Sequence, residues 1–180
     1  DWLVLTATLP TSPSGLRVRI WRALKATHCA TLREGVYILP ARAGTASDFK
    51  ALDAAIRAAG AQAHLLALTA RDVVQEASFC ALFDRSARYA DFMQALKAGR
   101  KAFKSASDAD VRKGMRALEL ELQDILAADF FPGKACDLAR AGMQALRLEV
   151  ERQRSPGEPA AAAGRIALLS ADDYQGRTWA

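Results

Sequence analysis

The chain has 180 residues, of which 51% are apolar and 25% charged, with a formal net charge of +5. Its length allows one full hydrophobic core, or a small domain with a helical extension. No apolar run approaches the roughly 20 residues of a membrane span, so we expect no membrane association. The three cysteines are far apart and odd in number, which argues against disulfides or structural zinc and favours a reducing cytoplasm.

The first 70 residues show alternating strand and helix signals. A short apolar run at 2–10 predicts a buried strand, and the three-to-four residue spacing of apolar side chains at 15–27 predicts a helix. Two short runs then meet at Glu34-Gly35, which predicts a hairpin. A helix with a Ser or Asp cap over 47–59 and a strand over 61–69 follow. The order β-α-β-β-α-β is that of the ferredoxin-like fold, with both helices on one face of an antiparallel sheet.

Residues 71–153 carry helical signals without strand signals between them. Three segments are expected, over 77–104, 108–131 and 134–154, and Ser107 is a good N-cap for the second. Their apolar residues have core spacing, so we expect an antiparallel helical hairpin or small bundle. The fold class is therefore α+β, with a ferredoxin-like domain over 1–70 and a helical region over 71–153. Residues 154–180 are rich in Pro, Gly and Ala and read as a linker into a C-terminal domain that is cut off soon after it begins.

Basic residues cluster in the first predicted helix. Trp21 lies among the cations of this helix, and one further cation, Arg33, lies beside the hairpin. The cations of the helix are Arg17, Arg19, Arg22 and Lys25. Basic side chains next to an aromatic ring suit contacts with phosphates. The alternative is a solvated helix face whose charge serves solubility only.

A second cluster of cations lies where one helical segment ends and the next begins. Its members are Lys97, Arg100, Lys101, Lys104, Arg112, Lys113 and Arg116, opposed by Asp108 and Asp110. Their excess of five positive charges equals the net charge of the whole chain, so the charge is concentrated, as in an anion-binding surface. The preference of cations for helix C-termini explains the positions of Lys97 to Lys104. It does not explain Arg112, Lys113 and Arg116, which lie in the early turns of the following helix.

Catalytic and metal-binding patterns are missing from the sequence. His28 and Cys29 are neighbours without an evident acidic partner, and His64 reads as a structural histidine in a strand. No nucleophile elbow, phosphate-binding loop or zinc-protease motif occurs. We therefore expect a protein that is not an enzyme and that uses neither a metal nor a cofactor.

The stretch "WLVLTATLPTSPSGLRVRIWRALKATHCATLREGVYILP", the segment "ADFFPG" and the final "YQGRTWA" resemble the ChrB family of bacterial chromate-resistance regulators. This resemblance covers essentially the whole chain, and "YQGRTWA" resembles the opening of that family's C-terminal domain. It implies a cytoplasmic regulator that binds promoter DNA of a chromate-efflux operon through its N-terminal part and responds to chromate. A two-fold homodimer would suit a regulator that reads paired half-sites.

The β-α-β-β-α-β unit is also similar to the ferredoxin-like nuclease subunits of CRISPR systems and to the middle domain of the phenylacetate repressor PaaX. Those nucleases place a metal-binding Asp at the end of the first strand, where this chain has Ala7-Thr8-Leu9-Pro10. Because two-metal cleavage needs carboxylates, we expect a non-nuclease relative. The alternative function is a protein that binds chromate or sulfate, or reduces chromate with its thiols, without binding DNA.

Overall fold

The computed structural model describes residues 1–8 and 14–154. Within these residues the chain forms four strands and six helices, and none of the helices is long and apolar enough to cross a bilayer. In chain order the elements are β1 (Trp2–Thr8), α1 (Ser14–Ala26), β2 (Ala30–Arg33), β3 (Val36–Pro40), α2 (Ala43–Ala58), β4 (Gln62–Leu68), α3 (Val73–Ala81), α4 (Ser86–Ala102), α5 (Asp108–Ala127) and α6 (Lys134–Arg154).

The four strands form one antiparallel sheet in the order β2-β3-β1-β4. Trp2 is opposite Pro40 on one side and Leu68 on the other, so β1 lies at the centre of the sheet. Helix α2 packs against α1, β1 and β4. This order confirms the ferredoxin-like arrangement expected from the sequence, and its core includes the fully buried Leu5, Leu39 and Phe49.

The hairpin between β2 and β3 turns at Glu34-Gly35, as the sequence predicts. Gly35 has a φ of +74°, a left-handed conformation that glycine adopts without strain. Its carbonyl accepts a 2.8 Å hydrogen bond from the Ala7 amide. A Cβ atom at Gly35 would lie 2.7 Å from the Ala7 carbonyl oxygen. The hairpin is therefore held against the end of β1.

Helix α2 differs from the sequence expectation at its start. It begins at Ala43, four residues before the predicted position, and the Ser or Asp cap is wrong. The N-cap is Arg42, and Thr45 in the first turn supports it, because its hydroxyl accepts a 3.0 Å hydrogen bond from the Arg42 amide and donates to the Pro40 carbonyl at 2.6 Å. The end at Gly60, with a φ of +76°, is as expected.

The first predicted helical segment is two helices, α3 and α4, and not one. Asp84 breaks it, because its carboxylate accepts hydrogen bonds from the Ser86 amide (2.9 Å) and hydroxyl (2.6 Å). These bonds start a new helix at Ser86. They also lower the pKa of the Asp84 carboxyl. The break turns the side chain of Phe83 into the core beneath the sheet.

Helices α4, α5 and α6 form a three-helix bundle with its own apolar core, which includes Phe92, Ile125 and Leu146. Ser107 caps α5 as predicted, since its hydroxyl oxygen accepts a hydrogen bond from the Asp110 amide at 3.2 Å. The predicted linker lies outside the described residues, apart from Arg154 at the end of α6. Leu9 and Pro10 lie outside them as well.

Candidate nucleic-acid interface

The first cationic surface is the outer side of α1, which we call the α1 basic face. It consists of Arg17, Arg19, Arg22 and Lys25, all exposed. Trp21 is 53% exposed, and the Lys25 Nζ atom lies 4.2 Å from its ring centroid. Within 1–8 and 14–154 none of these four cations forms an ion pair. The face can therefore offer its full charge to an anionic partner.

Arg33 extends this charge toward the hairpin. It ends β2, which runs parallel to β1 because both strands are antiparallel to β3. The ends of β1 and β2 consequently lie at the same end of the sheet, where α1 begins. Burial is the main reason that the pKa of Tyr37 is raised, and the nearby charge of Arg17 opposes this rise. The topology therefore places Arg33 at the end of the sheet where the α1 basic face begins.

The second cationic surface lies at the free end of the bundle, which we call the bundle basic end. It comprises Lys97, Arg100, Lys101 and Lys104 of α4 and the loop after it, together with Arg112, Lys113 and Arg116 of α5. The two helices pack closely here, since a Cβ atom on Gly114 would meet the Phe103 ring at 2.5 Å and one on Gly99 would meet Leu118 at 3.2 Å. The packing brings the last turns of α4 alongside the first turns of α5.

The two acidic residues within this cluster are engaged by other groups. Asp108 forms an ion pair with Arg154 of α6 (3.2 Å), and Asp110 accepts a 2.6 Å hydrogen bond from the Ser107 hydroxyl. Of the seven cations, Arg100 alone forms an ion pair within the described ranges, with Glu149 at 2.9 Å. The bundle basic end therefore keeps an excess of positive charge in water. Because α5 has 20 residues, this end lies about 30 Å from the opposite end of that helix.

At that opposite end, aromatic rings join the sheet to the bundle. Trp2 is 1% exposed, stacks on Phe83 at 5.8 Å between centroids and contacts Phe79 edge-on at 5.3 Å. Its indole Nε1 donates a 2.7 Å hydrogen bond to Glu76. Phe131, from the "ADFFPG" segment, completes this aromatic junction.

Arg42 is a part of the junction that the sequence analysis missed. Its guanidinium donates a hydrogen bond to the Phe130 carbonyl and lies 5.6 Å from the Phe131 ring centroid. The only sequence signal was a cation in a loop before α2, which did not distinguish it from other surface arginines.

A cavity of about 610 Å³ opens beside the aromatic junction, between the α3–α4 turn and the α5–α6 loop. Arg85 and Lys134 line it and form no ion pair within the described part of the chain. Two carboxylates line it too: Asp84 accepts hydrogen bonds from Ser86, and Asp129 accepts them from the Tyr89 hydroxyl (2.7 Å) and the Phe131 amide (3.0 Å). Burial, with the bonds to Cys136 and Asp129, raises the pKa of Tyr89. No pattern in the sequence distinguishes Arg85 or Lys134 from other surface cations.

Two of the three thiols, those of Cys29 and Cys136, lie in environments that disfavour nucleophilic chemistry. Burial raises the pKa of the Cys29 thiol, which donates a 3.5 Å hydrogen bond to the Leu24 carbonyl. The side chain of Cys136 is only 1% exposed. His28 has a φ of 56° in the turn after α1. Among the described residues, no three His, Cys, Asp or Glu side chains converge as a metal site would require.

Comparison with known proteins finds similarity to one family. Residues 17–125 match the model of the family described as "Protein ChrB, N-terminal". Protein ChrB of Cupriavidus metallidurans is 35% identical over 179 residues, which is 99% of this chain and 55% of that protein. The chain therefore spans about half the length of this curated relative. No solved structure matches the chain significantly. The matches place the chain in the ChrB family, where it corresponds to the N-terminal region.

Proposed function

We propose that this chain is the DNA-binding N-terminal region of a chromate-responsive transcriptional regulator. In this proposal it is not an enzyme, acts in the cytoplasm as a homodimer, and binds promoter DNA of a chromate-efflux operon. The observation that supports the proposal is the bundle basic end, where α4 and α5 pack closely and seven exposed cations lie on their adjoining turns and the loop between them. Membership of the ChrB family supports the regulatory role.

The bundle basic end suits phosphate contacts more than base reading. Its cations are exposed on two helices, and contacts to phosphates give affinity that depends on salt and not on sequence. The α1 basic face is the rival surface, since it has an exposed tryptophan beside its cations. The two surfaces belong to different parts of the fold, so mutations can separate their contributions.

The test measures binding of the chain to a promoter duplex and to a random duplex by fluorescence anisotropy over a range of salt. Changing Arg112→Ala together with Lys113→Ala should weaken binding to both duplexes. The slope of log affinity against log salt should fall by about two units, near 0.9 for each phosphate that the protein no longer neutralises. Neither side chain forms an ion pair among the described residues, so the fold should be unaffected.

The matched control is Lys50→Ala with Arg140→Ala, which removes the same charge from exposed sites outside both surfaces. It should leave the salt slope near that of the wild type. Unchanged binding in the bundle variant, with weaker binding in Arg17→Ala plus Arg22→Ala, would move the DNA site to the α1 basic face. Unchanged binding in both variants would reject both basic surfaces as the DNA site. No binding of the wild type to either duplex would reject the DNA-binding proposal and favour the oxyanion-binding alternative.

A specific observation favours an anion effector as well. The cavity at the junction presents Arg85 and Lys134, its wall includes Phe131, and the two carboxylates that line it, Asp84 and Asp129, accept hydrogen bonds from neighbouring groups. A tetrahedral oxyanion held there would contact the α3–α4 turn and the α5–α6 loop at once. Chromate is the effector that we propose, and calorimetric titration with chromate and with sulfate is the test. Binding should be abolished in Arg85→Ala with Lys134→Ala and kept in the Lys50 and Arg140 control; no binding to the wild type would reject this site.

A further inference from the structure

The two edges of the sheet differ in how they are protected. Strand β2 has four residues, carries Arg33, and its register shifts between Thr31 and Arg33. A short, charged, bulged strand is a common way to keep an edge from pairing with another chain. The β2 edge is therefore closed to further strand pairing.

The opposite edge, β4, has none of these protections. Its seven residues pair with β1 in an unbroken register from Gln62 to Leu68, and no strand lies on its other side within the described ranges. Residues 58–70 contain no Asp, Glu, Lys, Arg or Pro, in a chain that is 25% charged. Leu66 is 50% exposed. Alternate residues of β4 therefore point backbone N–H and C=O groups away from β1 without a strand partner.

We propose that β4 pairs antiparallel with β4 of a second copy of this chain, to give a continuous eight-stranded sheet across a two-fold axis. A second copy is the partner that the charge pattern favours. The strand Gln62–Leu68 has no Asp, Glu, Lys or Arg, so it offers nothing to a basic or acidic peptide, and its pairing with itself places none of these charges opposite one another. The same surface is used on both copies, as two-fold symmetry requires.

The two ends of β4 fit this arrangement. Val73 and Val74, just after the strand, are 83% and 75% exposed. A shallow cavity of about 310 Å³ lies at the start of the strand, lined by Arg57 and residues 61–64. In an antiparallel pair the end of one strand lies beside the start of the other. The exposed valines of each copy would thus lie beside the cavity of its partner, twice in the dimer.

The inference rests on the homodimer of the proposed function and adds its interface. Sedimentation equilibrium of the 180-residue chain, without DNA, measures it directly. We expect a dimer at tens of micromolar for the wild type. Leu66→Lys should weaken association at least about tenfold, because each dimer would hold two new lysines at the interface.

The matched control is Leu32→Lys, which places the same charge at a 41% exposed leucine on the β2 edge and should leave association unchanged. Circular dichroism verifies that both variants fold. If Leu66→Lys unfolds, Ala67→Lys at the neighbouring exposed position replaces it, with the same expected weakening of association.

Three results would overturn the proposal. They are a monomeric wild type at about 100 µM, a dimer that dissociates in Leu32→Lys alone, or a dimer whose association is unchanged by Leu66→Lys and Ala67→Lys. None of these bears on DNA binding, since the salt slope is measured separately. A monomeric chain that still binds duplexes would reject the β4 interface and leave the DNA-binding proposal standing.

Discussion

Trp2 is the residue that joins the sheet to the helical region with both its ring and its indole nitrogen. The ring is 1% exposed, and Nε1 donates to Glu76 at 2.7 Å. Replacing it with Phe keeps much of the apolar contact but leaves the part-buried Glu76 without this donor. We expect Trp2→Phe to lower the free energy of unfolding by about 1–3 kcal/mol, as measured by urea denaturation.

Trp21→Phe is the matched control, because it makes the same substitution at a tryptophan that is 53% exposed. Its effect on the free energy of unfolding should stay within about 0.5 kcal/mol, as at most surface positions. Equal effects of the two substitutions would contradict the role given to the Glu76 hydrogen bond and the buried ring.

At the scale of an element, the β2–β3 hairpin depends on one glycine. Gly35 has a positive φ, and a Cβ atom there would lie 2.7 Å from a backbone oxygen of β1 that cannot move freely. Gly35→Ala should therefore destabilise the protein by about 2 kcal/mol or more, which combines left-handed strain with the clash. Urea denaturation measures this decrease in stability.

Gly60→Ala separates the two causes. Gly60 has nearly the same φ, +76°, but an added Cβ atom there has no neighbour within 4 Å. We expect it to cost only the left-handed strain, about 1–2 kcal/mol. A decrease in stability at Gly60 as large as that at Gly35 would show that the contact with β1 contributes little.

At the scale of the whole molecule, the contacts between the sheet and the bundle decide whether the two parts unfold together. The core beneath the sheet and the core of the bundle are separate clusters, and Arg42 ties the sheet to the α5–α6 loop through the Phe130 carbonyl and the Phe131 ring. We expect Arg42→Ala to weaken their coupling by about 1–2 kcal/mol, since hydrogen bonds from charged groups are among the stronger ones. Scanning calorimetry should then show a broader, less cooperative transition.

Arg57→Ala is the control for this change. Arg57 forms an exposed ion pair with Asp53 on its own helix, at 3.0 Å, and such pairs contribute about 0.3–0.5 kcal/mol. Its transition should stay as sharp as that of the wild type. A sharp transition in Arg42→Ala as well would place the coupling entirely in the aromatic rings.

The sequence correctly predicted those features that depend only on residues close together in the chain. Gly35 and Gly60 marked a turn and a helix end because only glycine adopts a positive φ without strain, and Ser107 marked a cap because its hydroxyl accepts a nearby amide. It failed at the start of α2, where Thr45 and not Ser47 or Asp48 bonds the Arg42 amide. The sequence also failed to predict the break before α4. The apolar spacing continues through this segment, but the Asp84 carboxylate accepts a hydrogen bond from the Ser86 amide and a new helix begins there.

The sequence by itself predicted the order of the elements and the ferredoxin-like class. It did so through the alternation of apolar and polar residues, the turn residues and the helical period, all of which neighbouring residues set. The concentration of cations over 97–116 was visible as well. Only the tertiary structure decided that Trp2, Arg42 and Phe131 meet, since they are distant in sequence and only packing brings them together. It likewise decided that β4 rather than β1 is an open edge, because strand order depends on which long-range pairings bury the most apolar surface.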